Sequence, residues 1–181
     1  MVPMILLAGP SASGKTEIAK ILMKHFGIRK VVTHTTRSPR IGEKNGVDYH
    51  FVTREEFNRL LKDGQFVETT SFNGNLYGSS KKEVADDKVL IVDPIGLKTY
   101  LSLHDPRIVS FYFDTSEQTR KERMLSRGDS EEAIESRIQN DREAFKDVAK
   151  TTFRIQNESG SLEELAQKVY RLYREELAKL S

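Results

Sequence analysis

The sequence predicts an α/β fold in which a parallel β-sheet is flanked by helices. Short apolar segments rich in β-branched residues alternate with longer segments in which apolar residues recur at helical spacing. This alternation is typical of a parallel sheet covered by helices on its faces. The chain has 181 residues, a length that is ordinarily one domain with a sizeable core. We therefore expect a single domain that contains at most an inserted lobe.

Four segments have the composition of strands in the central sheet. Each is a short, nearly continuous apolar run, as expected for strands that are buried on both faces. The first is the run "PMILLA", and a glycine-rich loop follows it directly. The four predicted strands comprise residues 4–8, 89–92, 108–113 and 153–155.

Six segments are predicted to be helices from the spacing of their apolar residues. Two of them have a recognisable start, because Thr53 with Glu56 and Ser161 with Glu164 have the spacing of a capping box. The predicted helices comprise residues 14–26, 54–62, 96–103, 117–127, 131–148 and 162–180.

Between residues 34 and 78 the pattern changes to short strands separated by turns. The segments "YHFV" and "GQFVETTSF" have strand composition, and glycines at positions 42, 46, 64 and 74 separate them. This change predicts that residues 34–78 form a small mixed α/β lobe inserted into the main domain.

Composition excludes several classes of function. The chain has no cysteine, which rules out disulfides, thiolate metal sites and cysteine nucleophiles. Its longest apolar run is far too short to cross a bilayer, and its net charge of +2 is too small to indicate a nucleic-acid partner. The four histidines are scattered without the spacing of metal ligands. We expect a cytoplasmic protein that binds neither membrane nor nucleic acid.

The loop "GPSASGKT" matches the P-loop pattern of nucleotide-binding proteins, and it lies after a predicted strand and opens a predicted helix. Backbone N–H groups in such a loop surround a phosphate at the positive end of the helix dipole. Lys15 would reach the outer phosphates, and the Thr16 hydroxyl would bind magnesium. The predicted ligand is the triphosphate of a nucleotide. The loop consists of Gly9, Pro10, Ser11, Ala12, Ser13, Gly14, Lys15 and Thr16.

A second anion site is predicted in the segment "THTTRSPRIGEKNGVDYHFV". Arg37 and Arg40 lie three residues apart and Tyr49 follows, so two guanidinium groups and a phenol could hold one phosphate dianion. A solvated basic loop is the alternative on these residues alone. Polar and acidic candidates follow in "FVETTSFNGNLYGSS" and "LIVDPIG"; they are Glu68, Tyr77, Ser79 and Asp93.

Three arginines lie in a predicted helix–turn–helix segment. Arg123 and Arg127 are four residues apart and share one helix face, whereas Arg137 belongs to the next helix. On spacing alone they could equally be solvated charges that pair with neighbours such as Glu122 and Glu131.

The motifs "GPSASGKT", "TTRSPRIGEKNGVDYHFV", "FVETTSFNGNLYGSS" and "RKERMLSRGDSEEAIESR" together resemble those of the guanylate kinase family. The resemblance covers nearly the whole chain. It implies a P-loop kinase that transfers the γ-phosphoryl group of ATP to GMP, and to dGMP, with Mg²⁺. It further implies a core of residues 1–33, 79–115 and 149–181, a GMP-binding lobe of residues 34–78 and a lid of residues 116–148.

The resemblance also implies roles for individual residues. Lys15, Arg123, Arg127 and Arg137 would act in catalysis, and Glu68 would bind the guanine edge. Asn157 would lie near adenine, although a turn asparagine is the alternative. The GMP-contacting positions are Thr33, Arg37, Arg40, Tyr49, Glu68, Tyr77, Ser79 and Asp93.

The chain departs from the family pattern at two places. Thr33 and His34 stand where serines are usual, and Ile91 and Ile95 stand where a carboxylate and a glutamine are common. Asp93 is therefore the single acid at that strand end. Two alternatives stay open: an inactive guanylate-kinase-like module that binds phosphopeptides or proteins, and a P-loop kinase of a phosphorylated sugar. The sequence does not distinguish a monomer from a homodimer.

Overall fold

The computed structural model describes residues 3–181 and confirms the predicted α/β architecture. All four predicted strands and all six predicted helices are present. The strands are β1 (Met4–Ala8), β2 (Arg29–Lys30), β3 (His34–Thr35), β4 (His50–Phe51), β5 (Phe66–Phe72), β6 (Asn75–Ser80), β7 (Lys88–Ile91), β8 (Ile108–Asp114) and β9 (Phe153–Gln156). The helices are α1 (Lys15–His25), α2 (Arg54–Lys62), α3 (Pro94–Leu101), α4 (Glu117–Ser126), α5 (Glu131–Ala144) and α6 (Leu162–Ala178).

The larger sheet is parallel and has the strand order β2-β7-β1-β8-β9. Strand β1 lies at its centre, where Leu6 pairs with Leu90 of β7 and with Ser110 of β8. Every residue of β1 is buried, which explains why its sequence is apolar without alternation. The sequence did not predict β2, because two exposed residues carry no periodicity.

Helices cover both faces of the larger sheet. On one face, Ile18 and Leu22 of α1 pack with Val169 and Tyr173 of α6 in a single buried cluster. On the other face, Leu97 and Tyr100 of α3 belong to a second cluster with Met4 and Leu6 of β1. The helices that follow β1, β7 and β9 are therefore held against the sheet by buried apolar side chains.

Some helices begin or end at residues other than the predicted ones, and at α3 a capping side chain determines the boundary. Helix α3 begins at Pro94, two residues before the predicted start, because the Asp93 carboxylate accepts from the Gly96 N–H at 2.7 Å and proline is favoured in the first turn. The capping box at Thr53 is complete. The one predicted at Ser161 is only half formed, since the Ser161 hydroxyl accepts from the Glu164 N–H but the described contacts include no return bond from that side chain. Helix α5 ends at Ala144, before the predicted residue 148.

The smaller sheet has the order β4-β3-β6-β5 and carries helix α2. It is joined to the larger sheet by Glu83, which contacts His50 Nε2 of β4 at 2.6 Å and accepts from Lys88 Nζ of β7 at 2.8 Å. Burial works against the charge of Glu83, but these two hydrogen bonds outweigh it and lower its pKa to about 2. Glu83 is therefore an ionised link between the two sheets.

Among residues 3–181, the longest helices are too short or too polar to span a lipid bilayer.

Candidate active site

Predicted site residues from distant parts of the sequence lie at one edge of the larger sheet. Gly9 follows β1, Asp93 follows β7 and Asn157 follows β9. These three strands are parallel members of the same sheet, so their carboxyl ends meet at a single edge. In open α/β sheets this edge is where ligands bind.

The predicted P-loop has the backbone conformation of a phosphate-binding turn before α1. Ala12 and Gly14 both have positive φ, of 62° and 96°, and the loop closes with a hydrogen bond from the Ser13 N–H to the Pro10 carbonyl. Gly14 is required here for a second reason, because a Cβ at this position would overlap Asn157 Nδ2. The loop backbone is therefore held in one shape before the helix begins.

Asn157 supports the P-loop from the side of β9. It is 5% exposed, and its side-chain amide donates to the Ser13 carbonyl at 2.8 Å. Gly14, Asn157 and Arg127 also line one cavity of about 430 Å³. The structure thus gives Asn157 a role in holding the loop, and the adenine contact stays a prediction.

Lys15 lies folded back against its own loop. Its ammonium group donates to the carbonyl oxygens of Gly9 at 2.5 Å and Pro10 at 3.2 Å. Burial lowers the pKa of Lys15, an effect that Asp141 opposes and Arg120 strengthens. The Lys15 ammonium is consequently poorly hydrated and close to two further charges that sequence motifs did not identify.

Those two charges form an ion pair at the mouth of the loop. Asp141 Oδ2, from α5, accepts from the Ser11 N–H at 2.9 Å and from Arg120 Nη1 at 3.1 Å. Arg120 is 5% exposed and also donates through Nε to the Thr115 carbonyl. Helix α5 thereby contacts the P-loop through Asp141, and Arg120 joins α4 to that carboxylate.

The three predicted lid arginines differ in their contacts. Arg123 donates to the carbonyls of Ala12 and Asn157, both at 2.9 Å, so it joins α4 to the P-loop. Arg127 binds Asp129 in the turn between α4 and α5. Arg137 is exposed on α5, and its charge adds to that of Arg127 in lowering the pKa of Asp129. Only Arg123 contacts the P-loop directly.

On the predicted acceptor side, Arg37 is held by a carboxylate. Both of its terminal nitrogens donate to Glu43 at 2.9 Å, and the hydrogen bond from Arg37 is the main reason that the pKa of Glu43 falls to about 2. The Tyr49 ring lies 5.1 Å from the Arg37 guanidinium and 6.2 Å from the Tyr77 ring. Arg40 is exposed. Arg37, Tyr49 and Tyr77 therefore lie close together, and the phosphate contact of all four residues stays a prediction.

Glu68 lies on β5 and faces a chain of hydroxyl groups. The Ser79 hydroxyl donates to Glu68 Oε1 at 2.9 Å, and the Tyr100 hydroxyl is 2.6 Å from the Ser79 oxygen. Burial is the largest influence on Glu68 and raises its pKa; the Ser79 hydrogen bond lowers it, and the nearby charge of Asp93 raises it again. Glu68 is thus bound by Ser79 and lies near a second acid, Asp93.

One cavity is lined by residues of both predicted substrate sides. Thr16 of the P-loop lines it together with Thr33 and Tyr49, and its volume is about 350 Å³. The Thr16 side chain is exposed at the first turn of α1. A hydroxyl oxygen is the kind of ligand that Mg²⁺ prefers, and this ion commonly takes only one or two protein ligands beside phosphate oxygens and water. Thr16 therefore fits a magnesium ion that a nucleotide carries.

Sequence reasoning missed four residues of this region: Asp141, Arg120, Glu43 and Tyr100. Glu43 had a usable signal, because it continues the three-residue spacing of Arg37 and Arg40 in a turn segment. Asp141 had none, since 130 positions separate it from Ser11.

Comparison with known proteins identifies the family. The guanylate kinase family model matches residues 1–176. The chain is 36% identical over 143 residues to a guanylate kinase of Fusobacterium nucleatum subsp. nucleatum, covering 75% of this chain and 77% of that protein. It is 46% identical over 95 residues to a guanylate kinase of Homo sapiens, covering 49% of this chain and 48% of that protein.

A solved structure agrees with this assignment over nearly the whole length. The crystal structure of guanylate kinase from Anaplasma phagocytophilum has a TM-score of 0.67 and 26% sequence identity, covering 96% of this chain and 85% of that one. With the P-loop, Asp93 and Asn157 at one edge of the same sheet, these matches show that the chain belongs to the guanylate kinase family of ATP-dependent phosphotransferases.

Proposed function

We propose that the chain transfers the γ-phosphoryl group of ATP to GMP, giving ADP and GDP, and that dGMP is also an acceptor. The observation that carries this proposal is the cavity that Thr16, on the predicted ATP side, shares with Thr33 and Tyr49, on the predicted GMP side. Direct transfer between two phosphates requires both to enter one space, because the reacting oxygens must lie in line.

On the ATP side, the P-loop would bind the β- and γ-phosphates through its backbone N–H groups and Lys15. The low hydration of the Lys15 ammonium favours this, since a partly desolvated cation gains more from a phosphate than a solvated one does. Thr16 would hold Mg²⁺, which supplies neutralisation of phosphate charge when it is bound.

On the GMP side, Arg37, Arg40, Tyr49 and Tyr77 would hold the acceptor phosphate. Glu68 would accept from the guanine N1–H and exocyclic amine, with the Ser79 hydroxyl fixing the direction of its carboxylate. Guanine offers these two adjacent donors and adenine does not. The half-buried position of Glu68 therefore supports a preference for guanine.

For the transfer itself, the protein would supply position and charge rather than a covalent group. Lys15, Arg123, Arg127 and Arg137 would neutralise the charge that spreads over the moving phosphoryl group. No general base is needed, because the acceptor is a phosphate oxygen that is already deprotonated near neutral pH. Closure of residues 116–148 would exclude water and so prevent hydrolysis of ATP.

The two alternatives are less well supported. A binding module without activity has no need for the P-loop lysine and the lid arginines, which this chain retains. A sugar phosphate offers no pair of N–H donors that would match the half-buried carboxylate of Glu68. We further propose a cytoplasmic location and either a monomer or a homodimer.

The experiment is a coupled assay of ADP formation with Mg²⁺, ATP and each of GMP, dGMP, AMP, CMP and UMP. We expect activity with GMP and dGMP and little with the others. Lys15→Ala should lower kcat by at least about 100-fold, because it removes charge stabilisation in the transition state. Lys24→Ala, an exposed lysine in the last turn of α1, is the matched control. Equal activity of the two variants would contradict the proposal.

A further inference from the structure

The strongest feature outside the predicted machinery is the position of the Asp141 carboxylate. Its Oδ2 atom accepts from the P-loop N–H of Ser11 at 2.9 Å and from Arg120 Nη1 at 3.1 Å. The side chain of Asp141 is 15% exposed and that of Arg120 is 6% exposed. One carboxylate oxygen of Asp141 therefore accepts hydrogen bonds from both donors.

These donors are of the kind that binds a phosphate oxygen. A P-loop N–H group and a guanidinium are both common protein donors to phosphate, and Lys15 is close enough for its charge to respond to Asp141. Arg120 is held in place on its other side, because its Nε atom donates to the Thr115 carbonyl at 3.2 Å. The donor set is thus fixed by α4 and the P-loop, whereas its acceptor comes from α5.

Asp141 cannot keep this position beside a nucleotide without a cost. A carboxylate and a phosphate at the same donors would place two negative charges in direct contact in a region of low hydration. Moving Asp141 away would leave the buried Arg120 guanidinium without its carboxylate, a state that is unfavourable unless another anion replaces it. A phosphate oxygen of the nucleotide would be that anion.

We propose that Asp141 is an internal phosphate mimic, which ATP must displace from Ser11 and Arg120, and that Arg120 then becomes a phosphate-binding residue. The inference rests on the proposed function, because it assigns the displacing phosphate to ATP. Asp141 and Arg137 both belong to α5. Displacement of Asp141 is therefore coupled to movement of the helix that carries a lid arginine.

The test is calorimetric binding of MgATP, inorganic tripolyphosphate and GMP to the unaltered protein and to Asp141→Asn. The asparagine keeps the size of the side chain but removes its charge. We expect Asp141→Asn to bind MgATP and tripolyphosphate about tenfold more tightly, which corresponds to about 1.4 kcal/mol, and to bind GMP unchanged. Asp147→Asn removes the same charge from an exposed position beyond α5, and it should change none of the three affinities by more than about twofold.

A second measurement uses the unaltered protein and so does not depend on a variant that folds. The carboxyl carbon of Asp141, observed by NMR, should shift when tripolyphosphate is added, and the Ser11 amide proton should shift with it. No change in the Asp141 signal under saturating tripolyphosphate would overturn the inference.

The remaining outcomes separate the alternatives. Weaker MgATP binding by Asp141→Asn, with ATP binding unaffected when Mg²⁺ is omitted, would make Asp141 a magnesium ligand and overturn the inference. Weaker binding with and without Mg²⁺ would make the ion pair a structural tie between α4 and α5, with the same consequence. Failure of the unaltered protein to bind ATP at all would overturn the proposed function, and the inference with it.

Discussion

The Ser79 hydroxyl donates a hydrogen bond to Glu68 across 2.9 Å, from strand β6 to strand β5. Ser79 is fully buried, and the hydroxyl oxygen of Tyr100 in α3 lies 2.6 Å from the Ser79 hydroxyl oxygen. Tyr100 therefore helps to set the direction of the Glu68 carboxylate through Ser79. Tyr100 belongs to a helix packed on the larger sheet, whereas Glu68 belongs to the smaller sheet.

Replacing Glu68 should change the choice of base more than it changes the fold. We expect Glu68→Ala to lower kcat/KM for GMP by on the order of 10³- to 10⁴-fold, because the guanine donors lose their acceptor. The preference for GMP over AMP should shrink, since AMP never gained from the carboxylate. Comparing the two kcat/KM values in wild type and variant decides the matter, with Asp63→Ala on the exposed end of α2 as the control. A constant ratio would show that Glu68 does not contact the base.

The acid limit of guanine binding should follow the ionisation of Glu68. Burial raises the pKa of Glu68 above the ordinary 4.5, so binding that needs the carboxylate is present above this raised pKa and is lost as the pH falls through it. The Ser79 hydrogen bond lowers the pKa, and Ser79→Ala should therefore move the loss of binding to higher pH.

The ligand for this titration is guanosine, because it has no phosphate that titrates in the same range. NMR of the Glu68 carboxyl carbon gives the pKa directly, and Ser71→Ala at an exposed position of β5 should leave it unchanged. If Ser79→Ala lowered the pKa or had no effect on it, the hydroxyl would not be stabilising the charged form.

Substitution of Gly14 should disrupt the P-loop for a reason that can be separated from backbone strain. Gly14→Ala combines a positive φ of 96° with an overlap between the new Cβ and Asn157 Nδ2. Gly27→Ala has a φ of 68° but no heavy atom within 4 Å of its Cβ. We expect urea unfolding to give a loss of about 1 kcal/mol for Gly27→Ala and of about 2–4 kcal/mol for Gly14→Ala. Equal losses would mean that the Asn157 contact is dispensable.

The proposed lobe and lid should close only when both substrates bind. GMP and a non-hydrolysable ATP analogue together should give a smaller radius of gyration than either alone, because only the closed form contacts both ligands. Small-angle scattering measures this directly. Adenosine with guanosine, which lack the phosphates, is the control mixture. Unchanged dimensions with both nucleotides would favour a rigid binding module.

What could be predicted from the sequence is what depends on neighbours in the chain. The P-loop, the strand in "GQFVETTSF" and the cap at Thr53 all follow from spacings of a few residues. The start of α3 was predictable too, since Asp93 followed by Pro94 is a helix-start signal. The apolar spacing alone predicts a start at residue 96 instead.

Contacts between distant segments could not be predicted in this way. The bond from Asp141 to Ser11 joins positions 130 residues apart and has no periodic signature. The carboxylate on Arg127 is local, since it belongs to Asp129, yet an acid near an arginine is too common in a sequence to be singled out. The predicted site therefore included Arg37, Arg123 and Arg127 but lacked Arg120 and the acids Glu43 and Asp141.

The support that Asn157 gives to the P-loop has a consequence for synthesis of the chain. The loop ends at Thr16, but the Asn157 amide that donates to the Ser13 carbonyl lies 144 positions after Ser13. In addition, the central strand β1 pairs with β7 and β8 on its two sides. A ribosome must therefore release the chain at least as far as Asn157 before the nucleotide-binding loop has its final neighbours. Until then the P-loop lacks the contact that holds its backbone. We therefore expect ATP to stabilise the folded protein and not the nascent chain.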